Sequence, residues 1–128
     1  MLLVVACLLS SCAEGGSPTP GGAENDSAPT VTIEAIAFDP SDLEVAVGDT
    51  VTWTNRDAAV KHTVTSGRPG DKGVPGLDQV KPDKPDGVFD GSLADDGDTF
   101  EFEFTKTGTY DYFCRVHPVM TARVIVSN

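Results

Sequence analysis

The chain has 128 residues, room for one domain and not comfortably two. Nine Lys and Arg stand against twenty Asp and Glu, a formal net charge of −11. With no basic patch to neutralise phosphates, that balance excludes nucleic acid as a partner and electrostatic adhesion to anionic lipid.

The first segment reads as a targeting signal. Met1 to Leu9 is apolar but far too short to span a bilayer. Leu9-Ser10-Ser11-Cys12 resembles the cleavage box of bacterial and archaeal lipoproteins: an aliphatic residue, two small residues, then Cys. The resemblance implies that residues 1–11 are a signal peptide and that Cys12 becomes the lipid-bearing N-terminus. The protein would then be exported to the periplasm or cell surface and held to the membrane through that lipid alone. No Lys or Arg precedes the apolar run, a departure from the usual signal. Val4-Val5-Ala6-Cys7 also fits the box loosely but leaves almost no hydrophobic region ahead of it. An ordinary cleaved signal and an uncleaved stub are the alternatives. Residues 13–29 are Gly, Ser, Pro, Ala and acids without apolar periodicity, the composition of a flexible tether.

From Thr30 to Asn128 the pattern is that of a single β domain. Val31 and Ile33, with Ala35 continuing the series, alternate with Thr32 and Glu34. Leu43, Val45 and Val47 alternate with Glu44 and Ala46, and Gly48-Asp49 turns the chain. Val51 and Trp53 share the inward face of the next strand, and His62-Thr63-Val64-Thr65 forms another. Gly67 to Gly87 holds four prolines and five glycines and reads as a solvated excursion, with a lid or docking loop as the alternative. Phe100, Phe102 and Phe104 alternate with Glu101 and Glu103, a half-buried strand. Lys106-Thr107-Gly108 turns into Thr109 to Cys114, and Arg123 to Val126 is the terminal strand. No helical period and no internal repeat is present. Short strands separated by Gly and Asp turns predict an all-β sandwich.

Four residues carry chemistry: His62, Cys114, His117 and Met120. Cys114-Arg115-Val116-His117-Pro118-Val119-Met120 brings thiolate, imidazole and thioether within one short loop after an aromatic strand. Thiolate is a soft, strong copper ligand, imidazole accommodates both oxidation states, and a weak axial thioether favours Cu(I). That set suits one copper ion that gains and loses a single electron. Apart from Met1 and the two cysteines of the signal region, the chain contains no other His, Cys or Met. A lone thiol in an exported protein is an oxidation liability unless a metal holds it. Singly, each residue also has an ordinary role: Cys114 a buried apolar thiol, His62 a strand histidine, His117 a loop residue, Met120 core filler. Zinc is a poorer occupant because it seldom takes thioether. Nucleophilic Cys–His catalysis lacks a third orienting group, so no enzyme is predicted.

The segment Gly108 to Met120 resembles the ligand loop of the small blue copper proteins, the cupredoxins. Its spacing is closer to amicyanin than to plastocyanin. Val47 to Asn55 followed by His62-Thr63-Val64 resembles the family's approach to its first histidine. The resemblance covers residues 30–128 and implies a Greek-key sandwich with type 1 copper on His62, Cys114, His117 and, weakly, Met120. It implies a monomeric electron shuttle between a donor and an acceptor, cytochromes or a membrane oxidoreductase being candidates. Electrons would pass through the edge of His117, on a patch with Pro118 and Val119. Many members follow the first His with an Asn that hydrogen-bonds the ligand loop; Thr63 stands there, its hydroxyl the candidate substitute. A copper-storage or copper-delivery protein is the main rival, though such proteins are richer in Met and His. A metal-free adhesion module of the same fold is the second.

Overall fold

The computed structural model describes residues 27–70 and 83–128. The signal segment, Cys12 and most of the tether therefore lie outside the described residues, as do 71–82 of the Pro/Gly-rich stretch. The described residues form nine strands and no helix. These are β1 (Thr30–Glu34), β2 (Ala37–Asp39), β3 (Asp42–Ala46), β4 (Thr50–Asn55) and β5 (His62–Arg68), then β6 (Lys84–Leu93), β7 (Thr99–Glu103), β8 (Gly108–Phe113) and β9 (Thr121–Ser127). One sheet has the order β2-β1-β4-β7 and the other β3-β9-β8-β5-β6. The chain crosses repeatedly between the sheets, giving the sandwich with Greek-key connections that the alternating pattern predicts.

Alternation decides which side chains meet between the sheets. Val31 and Ile33 of β1, Val51 and Trp53 of β4, and Val124 and Val126 of β9 point inward and are buried. On the outer faces of the same strands stand Thr32, Thr52 and their neighbours, half-buried or exposed. Trp53 is the centre of an aromatic cluster. Its ring lies 5.6 Å from Phe89, 5.7 Å from Phe100 and 5.6 Å, edge-on, from Tyr112. Burying an aromatic side chain removes roughly 150–250 Å² from water, worth roughly 4–6 kcal/mol by area.

The structure departs from the sequence reading in three places. β6 was not predicted: the long excursion ends earlier, and Lys84 to Leu93 pairs with β5 from Arg68↔Lys84 to His62↔Leu93. Its inward residues, Phe89 and Leu93, belong to the core. Gly67 permits the close approach of that pair; a Cβ there would lie 2.2 Å from the Lys84 carbonyl oxygen. Secondly, Ala35 does not extend β1. Ala35 and Ile36 adopt left-handed φ values of 51° and 59° and turn the chain into the short strand β2. Two successive positive φ values are the geometry of a tight hairpin turn, here without Gly or Asn to announce it. Thirdly, Val47 lies beyond β3 and is 41% exposed, so that strand's inward series ends at Val45.

Because Phe89 touches Trp53, Phe102, Phe104 and Tyr112, Phe89→Ala is expected to cost about 3–5 kcal/mol. Urea unfolding at unchanged m-value measures it. A loss below about 1 kcal/mol would contradict the placement of β6 in the core.

Candidate metal centre

His62 opens β5 directly after the loop 56–61, and that loop is fastened from within. Asn55, fully buried, donates from Nδ2 to the Val60 carbonyl at 3.1 Å and accepts from the Asp57 amide at 3.0 Å. Asp57 in turn holds three groups. Its Oδ1 accepts from the Ala35 amide at 2.8 Å, and Oδ2 accepts from the Ile36 amide at 3.0 Å and lies 2.9 Å from His62 Nε2. One carboxylate therefore stabilises the left-handed turn and orients the imidazole. The Ile36 amide, with the Ala35 amide and His62 adding to it, holds the Asp57 carboxyl below the usual carboxylate range. Burial pushes the His62 pKa down, against the pull of Asp57, so the ring is neutral near pH 7. A neutral ring that donates Nε2–H to Asp57 leaves Nδ1 as a bare lone pair. Fixing the tautomer through the far nitrogen is how proteins prepare an imidazole for a metal.

The second half of the site is the loop joining β8 to β9. Phe113 pairs with Thr121 in the last step of that ladder. Beyond it, the Cys114 amide donates to the Met120 carbonyl at 3.1 Å and the Met120 amide donates to the His117 carbonyl at 2.8 Å. These bonds fold the segment into a tight loop. Cys114 and Met120 are buried at its base, His117 and Pro118 are half-buried at its crest, and Val116 and Val119 are exposed, Val119 by 86%.

The two halves meet at one pole of the sandwich. Cys114 Sγ lies 3.9 Å from His62 Nδ1 and 3.8 Å from His117 Nδ1. The candidate ligand atoms of His62, Cys114 and His117 all lie within 4.8 Å of one another. Two donors about 2.0–2.3 Å from one first-row ion stand roughly 3.5–3.8 Å apart, so the spacing admits such an ion between them. The rings of His62 and His117 have centroids 4.9 Å apart, tilted by 46°. The Thr63 amide donates to Cys114 Sγ at 3.4 Å. Thr63 Oγ1 accepts from the Arg115 amide at 2.9 Å, so the hydroxyl binds the ligand-loop backbone, as the sequence reading expects.

Three of the four residues singled out in the sequence thus converge with their donor atoms facing one another, and Met120 is buried at the foot of the same loop. Asp57 was missed. Its only sequence signal is an acidic residue five positions before a histidine, which becomes meaningful once the turn at 35–36 is known to lie beside it.

The chain matches the family described as copper binding proteins of the plastocyanin/azurin type over residues 26–127. It is 34% identical to amicyanin of Paracoccus denitrificans over 110 residues, 86% of this chain and 73% of that protein. It is 28% identical to auracyanin-A of Chloroflexus aurantiacus, over 99% of this chain and 93% of the other. Among solved structures, a reduced amicyanin variant superposes with a TM-score of 0.59 at 31% identity, over 80% of this chain and 84% of that one. A purple cupredoxin from Nitrosopumilus maritimus superposes with a TM-score of 0.58 at 33% identity, over 77% and 99% of the two chains.

Proposed function

The chain belongs to the plastocyanin/azurin family of copper-binding proteins, and on that premise we propose that it is an exported one-electron carrier. In this reading His62, Cys114 and His117 would hold the copper, with Met120 offering a weaker thioether. Bound there, copper supplies one electron per cycle between Cu(I) and Cu(II). The observation that carries the proposal is the convergence of the ligand atoms of His62, Cys114 and His117 within 4.8 Å, with Cys114 Sγ 3.9 and 3.8 Å from the two Nδ1 atoms, on elements 52 residues apart in sequence.

The protein's own groups account for the rest. Asp57 and the β5–β8 pairing hold both halves of the site in place, so little has to move when charge changes. Burial of Cys114 and Met120 keeps bulk water and oxidants from the sulfurs. His117 is half-buried beside Pro118 and the exposed Val116 and Val119, and in this reading these residues form a small apolar rim suited to brief docking of a redox protein. The same rim carries no array of methionines for handing on Cu(I), which favours the carrier over the storage or delivery reading. The donor and acceptor would be proteins near the membrane, since Cys12 is proposed as the lipid-bearing residue after removal of residues 1–11.

Two experiments test this. Full chain loaded with Cu(II) is expected to show strong thiolate-to-copper absorption in the visible, and Cys114→Ser is expected to abolish it. An unchanged spectrum in the variant would overturn the ligand assignment. For the anchor, Cys12→Ala is expected to shift the protein from the membrane fraction of the producing cell to the soluble one. Persistent membrane association would contradict lipidation at Cys12.

A further inference from the structure

We propose that Asp90 and Arg115 are positioning residues for the ligand loop, closing with Thr63 and Thr65 a hydrogen-bonded ring that locks the loop onto β5 and β6. The inference rests on the electron-carrier reading, and it concerns groups that supply no ligand atom.

The ring can be followed atom by atom. Thr65 and Asp90 stand opposite each other in the β5–β6 register. The Thr65 hydroxyl donates to Asp90 Oδ1 at 2.9 Å, and Thr65 is almost completely buried. Asp90 Oδ2 lies 3.1 Å from Nη2 of Arg115, so each carboxylate oxygen has its own partner. The hydroxyl oxygens of Thr65 and Thr63 are 3.2 Å apart. A hydroxyl has one proton, and that of Thr65 goes to the carboxylate. Thr63 must therefore donate to Thr65, which leaves Thr63 Oγ1 as the acceptor of the Arg115 amide at 2.9 Å. The path runs Arg115 N–H, Thr63 hydroxyl, Thr65 hydroxyl, Asp90 carboxylate and the Arg115 guanidinium, back to the residue it began on.

Two features set this apart from an ordinary surface ion pair. An exposed Arg–Asp pair by itself contributes little, and these side chains are 44% and 49% exposed. Here, however, the pair closes a chain whose middle is buried, and hydrogen bonds in such chains polarise and strengthen one another. Arg115 is also the residue after Cys114, gripped by both its backbone and its side chain. Thr63 bonds Cys114 Sγ through its own amide. Movement of the loop away from β5 would break the ring at Arg115 and loosen the Thr63–Cys114 contact together. From Thr63 the tie runs through Thr65 to a second strand, and the carboxylate of β6 anchors it.

The test compares full chain, Asp90→Asn, Thr65→Val and the double variant, all copper-loaded. The readouts are hydrogen exchange of the Arg115 amide in the Cu(I) form and the reduction potential. If the parent protein gives no thiolate-to-copper band, the carrier reading fails, and the ring proposal, which presupposes it, falls with it. With the band present, each single variant is expected to speed Arg115 exchange about fivefold, the loss of one hydrogen bond, and to shift the potential. The double variant is expected to do little more than either single one, because both open the same ring. Unchanged exchange in both single variants would overturn the proposal. So would fully additive effects, which would mean two independent contacts.

Discussion

Two pairs of residues hold this site together. In the ladder between β5 and β8, Thr65 stands against Phe113 and Ser66 against Tyr112. That short antiparallel contact brings His62, three residues before Thr65, alongside Cys114, one residue after Phe113. A slip of one position would turn the imidazole to the other face and take the sulfur out of its reach. The register is defended on both sides. Ser66 is buried, and its hydroxyl donates to Asp86 Oδ1 and accepts from the Phe89 amide. Tyr112 and Phe113 are buried, and the Tyr112 ring packs edge-on against Trp53. The core therefore fixes the strand pairing, and the strand pairing fixes the distance between ligands.

Around this contact the polar groups do different jobs. Asp57 works from behind His62, setting its tautomer while capping a turn whose residues would otherwise prefer other backbone conformations. Thr63 works between the halves, giving its amide to the sulfur and its hydroxyl oxygen to the loop backbone. Asp57 and Thr63 each bind partners from other elements. The loop, the turn and β5 are thereby made dependent on one another. A carrier of single electrons needs such a site, since reorganisation during transfer slows it. Non-covalent restraint from several directions supplies that without requiring a larger protein.

Much of this was legible from residue types and spacing. Alternation identified β1, β4, β7 and β9, because each has one face against the core and one facing out. The cluster at Cys114 to Met120 and the scarcity of other soft ligands pointed to the candidate centre, and His62, at another strand end of the same pole, lies beside Cys114 and His117 in the structure. What was illegible has physical reasons. β6 escaped notice because Pro85 and Gly87 stand near its start, residues that normally punctuate a strand, and because Asp86 and Asp90 interrupt its apolar series. The turn at Ala35-Ile36 escaped because its left-handed geometry is enforced by a carboxylate more than twenty residues away and not by a local glycine. Asp57, Asp90 and Arg115 carry no sequence signal that separates them from ordinary solvated surface charges. Only tertiary contact distinguishes them.

On the proposed function, this donor set holds copper through both oxidation states with little rearrangement. Protein-film voltammetry of copper-loaded full chain tests it most directly. One reversible one-electron wave is expected, stable over repeated cycles, with copper retained in the reduced protein. Absence of a reversible wave, or release of the metal on reduction, would contradict it and would point to a protein that handles copper ions and does not use them to carry electrons.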